Sequence, residues 1–348
     1  MLRTPFIIGA VVFCCSSGFA VRAPAIGLAD APAAPAAAAP APPTAVTGGI
    51  DAAGDAAAAG PQYAVSTRVD RIGRIIAPVM INGRGPYHFM LDTGANRTVL
   101  AESLLQQLAL PLDQDHLISV VGVSGSAVVA TAQVHSLDAG ALHFHDVQLP
   151  VLSGPVLLGI DGILGMDGFE GKLVSADFVR DQLTISDSLG RPAAFMYSVI
   201  PVKFLSQRLL MIDTFVGNVR TKAIIDTGGT RTLGNPALLR ALLRQHRTNE
   251  AFGLDAGVVD ATQASLLGKM GRVPHIELGS AMIDDLDVTF GDFRVFSSWG
   301  LQDQPALLLG MDVLGTLAEL TIDYRRRELH LIPRAYHLAI ESSTAIGH

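Results

Sequence analysis

Two stretches of the chain are near copies of each other. Residues 89–100 read FMLDTGANRTVL, and residues 223–234 read AIIDTGGTRTLG. Their aspartates, Asp92 and Asp226, are 134 residues apart, and the same offset superposes Gly83 on Gly217. Because self-similarity at a fixed offset is typical of a duplicated structural unit, this alignment predicts two related halves.

A second pair of landmarks follows in the same order. Residues 161–167 read DGILGMD and residues 307–312 read LLLGMD, which aligns Gly165 with Gly310. Each half then closes with an Asp-aromatic pair and a short strand-like run. The halves therefore meet near residues 188–194.

The periodicity within each half is mostly that of strands. Short β-prone runs, among them residues 79–81, 87–91, 127–134 and 147–152, are separated by Asn-Gly and Asp-Ala-Gly turns. One helix is predicted in each half, over residues 101–108 and from Pro236, capped by Asn235, to about His246. The expected fold is all-β, with two β-barrel-like lobes related by a pseudo-twofold axis, each with one short helix.

Composition narrows the classes of function. The chain has 348 residues, 49% of them hydrophobic and 16% charged, with a net charge of −7. A nucleic-acid partner is not expected, because the longest basic run is Arg325-Arg326-Arg327. No transmembrane span is expected after signal cleavage, since no stretch reaches the roughly 20 apolar residues that are needed.

The N-terminus has the pattern of a secretory signal peptide over residues 1–20. Arg3 precedes a short apolar run, which small residues follow up to Ala20. The alternatives are an uncleaved anchor and a buried N-terminal strand. Cleavage would remove Cys14 and Cys15, the two cysteines, so the exported chain, periplasmic or secreted, would hold no disulfide. Residues 21–62, rich in Ala and Pro, predict a disordered linker.

The two Asp-Thr-Gly motifs point to a pair of carboxyl groups. Each follows an aliphatic run that would deliver the aspartate into the interior, and the glycine allows a close approach. Two lobes that face each other across a twofold would bring Asp92 and Asp226 together. Carboxyl groups so close cannot both ionise, so the pair would supply both a base and an acid.

Each half resembles a retropepsin-like domain, and the chain resembles the bacterial aspartyl protease families with two tandem, pepsin-like lobes. The resemblance covers about residues 63 to 334 and rests on residues 92–95, 226–229, 163–165 and 308–310. It implies an aspartic endopeptidase, a hydrolase that acts on a peptide or protein substrate without metal or cofactor.

The resemblance also assigns the site residues. Asp92 and Asp226 would hold the attacking water, and Thr93 and Thr227 would lock the two loops together. The supporting residues would be Gly94, Ala95, Gly228, Gly229, and the threading glycines Gly165 and Gly310. A substrate-binding flap is expected over residues 120–129, with its tip formed by Gly122, Val123, Ser124 and Gly125. The matching stretch of the second half, 257–271, is less hairpin-like, so one flap is expected.

The implied organisation is an N-terminal lobe at 63–188, a connection at 189–196, a C-terminal lobe at 197–334 and a tail at 335–348. Because both aspartates lie in one chain, a monomer would contain a complete site. Ala95 and Gly229 stand where pepsin-like enzymes usually carry Ser or Thr. Neither side chain can donate a hydrogen bond to a carboxylate, so we expect an activity optimum at about pH 5 to 6.

Alternative functions remain open at this stage. The chain could be a catalytically silent peptide-binding protein on the same fold, or a processing protease of narrow specificity.

His143 and His145 lie on one face of a strand, but a zinc site needs further ligands, so a surface strand is expected. Trp299, the one tryptophan, could line the cleft, although packing against the core is the favoured role.

Overall fold

A computed structural model of the chain describes residues 6–8, 13–15, 64–66, 73–154, 157, 159–205, 209–245, 254–260 and 262–334. The predicted linker, the predicted tail and most of the predicted signal peptide lie outside these residues. We call residues 63–188 the N-terminal lobe and residues 197–334 the C-terminal lobe. Both belong to one compact unit of the chain.

Strands dominate the first half of the chain, where Val, Ile and Leu recur in short runs. The elements up to the end of the N-terminal lobe are, in order, β1 (Phe6–Ile8), β2 (Phe13–Cys15), β3 (Ala64–Ser66), β4 (Ile76–Ile81), β5 (Arg84–Leu91), β6 (Val99–Ala101), α1 (Glu102–Leu108), β7 (Leu112–Val121), β8 (Ser126–Ala139), β9 (Leu142–Leu152), β10 (Gly162–Leu164), β11 (Lys172–Asp177) and β12 (Gln182–Asp187).

The second half repeats this order with small additions. Its elements are β13 (Ser198–Pro201), β14 (Lys203–Leu205), β15 (Leu209–Val216), β16 (Val219–Ile225), β17 (Leu233–Gly234), α2 (Pro236–Arg244), β18 (Leu254–Val259), β19 (Ser265–Leu278), β20 (Ala281–Phe290), α3 (Arg294–Ser298), β21 (Ala306–Leu309), α4 (Met311–Leu314), β22 (Leu317–Asp323) and β23 (Glu328–Pro333). The predicted all-β fold of two lobes is confirmed.

The helix predictions hold in part. α1 and α2 are present, and the Asn235 side chain accepts a hydrogen bond of 2.9 Å from the Leu238 N–H. This is the expected cap before a helix that begins with proline. However, the C-terminal lobe also contains α3 and α4, so the expectation of one helix in each lobe is wrong. Each added helix has five residues or fewer, which is too short for a helical period to show in the sequence.

Each Asp-Thr-Gly loop is flanked by a strand that threads between its two arms. β10 pairs in parallel with β5 and antiparallel with β6. In the C-terminal lobe β21 pairs in the same way with β16 and β17. These two arrangements are equivalent, which gives the molecule its internal pseudo-twofold symmetry.

The two lobes share a six-stranded sheet with the order β13-β23-β22-β11-β12-β3. Its central contact joins β11 of one lobe to β22 of the other in antiparallel register, with Val174 opposite Ile322. The apolar side chains of this sheet pack into a core cluster that includes residues from both lobes. The relative position of the two loops is therefore fixed by backbone pairing as well as by side-chain packing.

Two hairpins project from the lobes. β7 and β8 form the predicted flap, and its turn is closed by a hydrogen bond of 2.8 Å from the Gly122 N–H to the Gly125 carbonyl. In the C-terminal lobe β18 and β19 pair from Leu254 opposite Met270 to Val259 opposite Ser265. Residues 257–271 therefore form part of a regular hairpin, although the sequence predicts a less hairpin-like stretch, and the expectation of one flap stays a prediction. Three glycines in this stretch hide the alternation of apolar and polar side chains, whereas ladder hydrogen bonds need only the backbone.

The outer edges of both hairpins carry a further strand. β2 pairs antiparallel with β7, with Phe13 opposite Val121 and Cys15 opposite Ser119. β1 pairs in parallel with β18, with Phe6 opposite Gly257 and Ile8 opposite Val259. Each pairing ends directly before the turn of its hairpin, so both edges accept an extended strand up to the tip.

Candidate active site

Both aspartates follow directly on a buried apolar strand, as their sequence context predicts. The Asp92 N–H donates to the Leu164 carbonyl at 3.0 Å, and the Asp226 N–H donates to the Leu309 carbonyl at 2.9 Å. Both acceptors lie on the threading strands, β10 and β21. The two aspartates are 0% exposed. The threading strands thus anchor the start of each loop.

The two threonines lock the loops together by mutual hydrogen bonds. The Thr93 Oγ1 donates to the Ile225 carbonyl and the Thr227 Oγ1 donates to the Leu91 carbonyl, both at 2.7 Å. Each hydroxyl also accepts the N–H of the opposite threonine, both at 3.1 Å. Four buried hydrogen bonds therefore cross between the lobes beneath the aspartates, as the resemblance predicts.

The loops place each aspartate against the opposite loop. A Cβ on Gly94 would lie 2.7 Å from the Asp226 Oδ1, and a Cβ on Gly228 would collide with the Asp92 carboxyl group. The same glycines serve their own aspartates, because the Gly94 N–H donates to the Asp92 Oδ1 at 2.8 Å and the Gly228 N–H donates to the Asp226 Oδ1 at 3.0 Å. The sequence predicts this juxtaposition.

The fourth residue of each motif holds the threading segment through its backbone. The carbonyls of Ala95 and Gly229 accept the N–H groups of Met166 and Met311 at 2.8 and 2.7 Å. The Gly229 N–H also donates to the Asp226 Oδ1 at 3.1 Å. A Cβ at this position would lie 2.6 Å from the Asp226 Oδ2, which explains why glycine stands here.

Burial dominates the electrostatics of the two aspartates. Loss of solvent raises the pKa of Asp92 well above its usual value, and repulsion by Asp226 raises it further. Burial raises the pKa of Asp226 to about 6, although a hydrogen bond with the Asp92 side chain and smaller contributions from the backbone N–H groups of Gly228 and Gly229 act in the opposite direction. The Oδ2 atoms of both residues are buried and accept no hydrogen bond from any other group in the described part of the chain. The two carboxyl groups thus interact directly with each other.

A second symmetric pair of side-chain contacts lies behind the two loops. These contacts were not predicted from the sequence. The Thr98 hydroxyl donates to the Asp167 Oδ1 and the Thr232 hydroxyl donates to the Asp312 Oδ1, both at 2.7 Å. The same hydroxyls accept the N–H groups of the threading glycines, Gly165 and Gly310, both at 3.2 Å. Burial raises the pKa of Asp167 and of Asp312.

The residues that make these contacts recur at equivalent positions of the sequence repeat. Both Asp-Thr-Gly stretches end in Arg-Thr followed by an aliphatic residue, and both threading segments end in Gly-Met-Asp. The threading glycines themselves lie against the chain before Thr98 and Thr232. A Cβ on Gly165 would collide with the backbone of Arg97, and a Cβ on Gly310 would lie 2.6 Å from the carbonyl carbon of Arg231.

The tip of the predicted flap lies against the C-terminal lobe. The Asp260 carboxyl group, in the turn after β18, accepts the N–H groups of Ser124 and Gly125. Val123 is fully buried in an apolar cluster with residues of the C-terminal lobe, including Phe296 and Trp299. Trp299 is thus buried against the core, which is the role that the sequence favours, and it belongs to the same cluster as Val123 of the flap tip.

The histidine pair that the sequence analysis considered as a zinc site lies on an ordinary surface strand. His143 is exposed and bonds Asp138 through its Nδ1 at 2.7 Å. Among the residues that the structure describes, no group of three or more His, Cys, Asp or Glu side chains could hold a metal ion. In the same part of the chain, no helix combines the length and the apolar composition that crossing a membrane requires.

Comparisons with known proteins give two findings. The model of a family described as aspartyl protease matches residues 77–167 and 212–313, one segment in each lobe. Among solved structures, the aspartic proteinase from Irpex lacteus is similar with a TM-score of 0.48 and 14% identity, covering 79% of this chain and 98% of that one. No curated protein sequence matches the chain.

Proposed function

Because the chain belongs to the aspartyl protease family, we propose that it is an aspartic endopeptidase in which Asp92 and Asp226 activate the attacking water. The observation that carries the proposal is the pair of fully buried carboxyl groups, each against the glycine of the opposite loop, above the interlocked threonines. Water bound between two such carboxyl groups can be deprotonated by one while the other donates a proton.

The protonation of the pair follows from burial. Burial and the mutual repulsion of the two carboxyl groups make the pair lose its two protons in separate steps, so one proton stays on the pair after the other has left. In the state that reacts, this proton lies on Asp92. In the singly protonated pair, Asp226 takes a proton from water as the water attacks the peptide carbonyl. Asp92 then protonates the carbonyl oxygen, which gives a gem-diol while Asp226 holds the proton from water. As the C–N bond breaks, the proton on Asp226 passes to the leaving nitrogen, and one hydroxyl of the gem-diol returns its proton to Asp92 as the new carboxyl group forms. Both carboxyl groups return to their starting state.

The substrate is an extended peptide. The outer edges of β7 and β18 each accept a strand, as the pairings with β2 and β1 illustrate. An added strand gains main-chain hydrogen bonds that do not depend on its sequence, and its alternating side chains enter pockets.

Because one chain holds both loops, the enzyme acts as a monomer. Residues 1–20 direct its export to the periplasm or the medium.

The test is cleavage of a mixed peptide library between about pH 3 and about pH 7. The wild type is compared with Asp92→Asn and with Asp292→Asn, a matched control at an exposed aspartate. We expect the wild type and Asp292→Asn to cleave most rapidly at about pH 5 to 6. Asp92→Asn should lose activity by a factor of about 10³ or more, because it can no longer act as the acid.

Two outcomes would contradict the proposal. Cleavage that survives in Asp92→Asn would assign the activity to another site. A wild-type chain that binds pepstatin and cleaves no peptide would identify the catalytically silent binding protein. Cleavage confined to one sequence in the library would identify the narrow processing protease, and an optimum below about pH 4 would contradict the expected effect of Ala95 and Gly229.

A further inference from the structure

Asp260 is a buried carboxyl group that joins the two hairpins at their tips. It lies in the turn between β18 and β19 and is 0% exposed. Its Oδ2 accepts the Ser124 N–H at 2.6 Å and the Gly125 N–H at 3.2 Å, both from the flap. Its Oδ1 accepts the N–H of Thr262 at 2.9 Å and the Thr262 hydroxyl at 2.6 Å. One oxygen therefore accepts hydrogen bonds from the opposite lobe, and the other accepts hydrogen bonds from its own turn.

The composition of the flap tip fits this contact. A Cβ on Gly122 would collide with the Asp260 carboxyl group, and a Cβ on Gly125 would lie 2.5 Å from the Cβ of Ala264. Neither glycine has a positive φ. Glycine is thus needed at both ends of the tip because the second hairpin approaches so closely, and not because the turn is left-handed.

Apolar and polar contacts reinforce the junction. Val123, between the two glycines, is fully buried in a cluster that includes Val258 and Phe296 of the C-terminal lobe. From the second hairpin, the Gln263 side chain donates to the Ser153 carbonyl of the N-terminal lobe at 3.1 Å. Each hairpin therefore contributes a side chain that contacts the other lobe.

The junction coexists with strands on both hairpins. β2 pairs with β7 up to Val121, and β1 pairs with β18 up to Val259. Both pairings end one residue before the tip contacts begin. An extended chain can therefore lie along both hairpins while Asp260 still holds the flap tip.

We propose that Asp260 is the positioning residue that holds the flap closed over a bound peptide. The inference rests on the proposed function, because it assigns Asp260 to the closed state of that same site. Asp260 does not touch the aspartate pair. It acts through the backbone of Ser124 and Gly125, and it keeps the flap on the peptide until the products form.

The direct test is hydrogen–deuterium exchange at the amides of Ser124 and Gly125 in the full chain. In Asp260→Ala we expect these amides to exchange at least about tenfold faster than in the wild type, because both lose their acceptor. The matched control is Thr262→Val, which removes the hydroxyl bond to Oδ1 and leaves the bonds to the flap. Unchanged exchange in β22 and β23 verifies that each variant is folded.

Two exchange results would overturn the proposal. The first is slow exchange at both amides in Asp260→Ala. The second is equally fast exchange in Thr262→Val, since Asp260 would then only stabilise its own turn. Neither result depends on activity, so a chain that cleaves nothing would refute the proposed function and leave this test intact.

The kinetic test separates positioning from general stability. Asp260→Ala should raise KM for a peptide about fivefold to tenfold, with kcat changed by less than about twofold, because the flap holds the peptide and not the reacting atoms. Asp260→Asn keeps one acceptor oxygen and should restore part of the loss. An unchanged KM in Asp260→Ala, or a fall in kcat alone, would contradict a role in holding the peptide.

Discussion

The two Asp-Thr-Gly loops are near copies in structure, whereas the two hairpin tips are complementary. Both loops have the same threonine lock, the same threading strand and the same support by a Thr-Asp pair. In contrast, the N-terminal tip presents backbone N–H groups and Val123, and the C-terminal tip presents the Asp260 carboxyl group. Two loops that interlock through the same threonine contacts need matching geometry. Two tips that bind each other need a donor on one side and an acceptor on the other.

The largest expected effect tests whether the pKa of Asp226, in the second loop, is raised in the folded chain. The folded pKa of Asp226 is raised to about 6, above its value in the unfolded chain, so the folded chain binds more protons between about pH 4 and about pH 6. Stability attributable to this group therefore falls as the pH rises through that window. Asp226→Asn should gain about 3 kcal/mol over the wild type at about pH 8 and little at about pH 3.

Thermal or denaturant unfolding at both pH values measures this difference, with Asp292→Asn as the exposed control. An equal gain at both pH values would show that the pKa of Asp226 is not raised. The same gain in Asp292→Asn would assign the effect to overall charge.

A smaller effect is expected from the threonine lock. Thr93→Val and Thr227→Val each leave a buried carbonyl and a buried N–H without their partner, which costs about 2 kcal/mol. If the lobes contribute equally, the two losses are similar. The double variant should lose less than the sum, because the four hydrogen bonds form one network.

Denaturant unfolding of the two single variants and the double variant gives the coupling free energy. Strictly additive losses would contradict a shared network. A loss in only one single variant would break the equivalence of the loops.

The smallest effect concerns the fourth position of the motif, where one loop has Ala95 and the other has Gly229. Gly229→Ala places a Cβ against the Asp226 carboxyl group and should cost about 1 to 2 kcal/mol, together with part of the activity. Ala95→Gly removes one buried methyl group and should cost about 1 kcal/mol without affecting either aspartate. Unfolding and peptide cleavage are measured for both. Full activity in Gly229→Ala would show that the loop can move away from Asp226.

The sequence predicted the elements that local patterns control. The repeat identified both Asp-Thr-Gly loops and both threading segments, because each must follow an aliphatic strand and include a glycine at a close approach. The Asn235-Pro236 pair located the start of α2, because capping depends on a few neighbouring residues. The Thr98–Asp167 and Thr232–Asp312 pairs were missed, although the repeat contained them, because a side-chain contact between distant segments has no local period.

The sequence by itself determined that the chain is a duplicated all-β protein with two matching aspartate loops. Hydrophobic alternation and glycine spacing are local properties, and they recur where the same local structure recurs. Only the tertiary structure decided that the second lobe also forms a hairpin and that Asp260 lies beneath the first. Asp260 and Ser124 are 136 residues apart, and no local pattern links them. Their contact exists because the shared sheet and the threonine lock fix the distance between the two lobes.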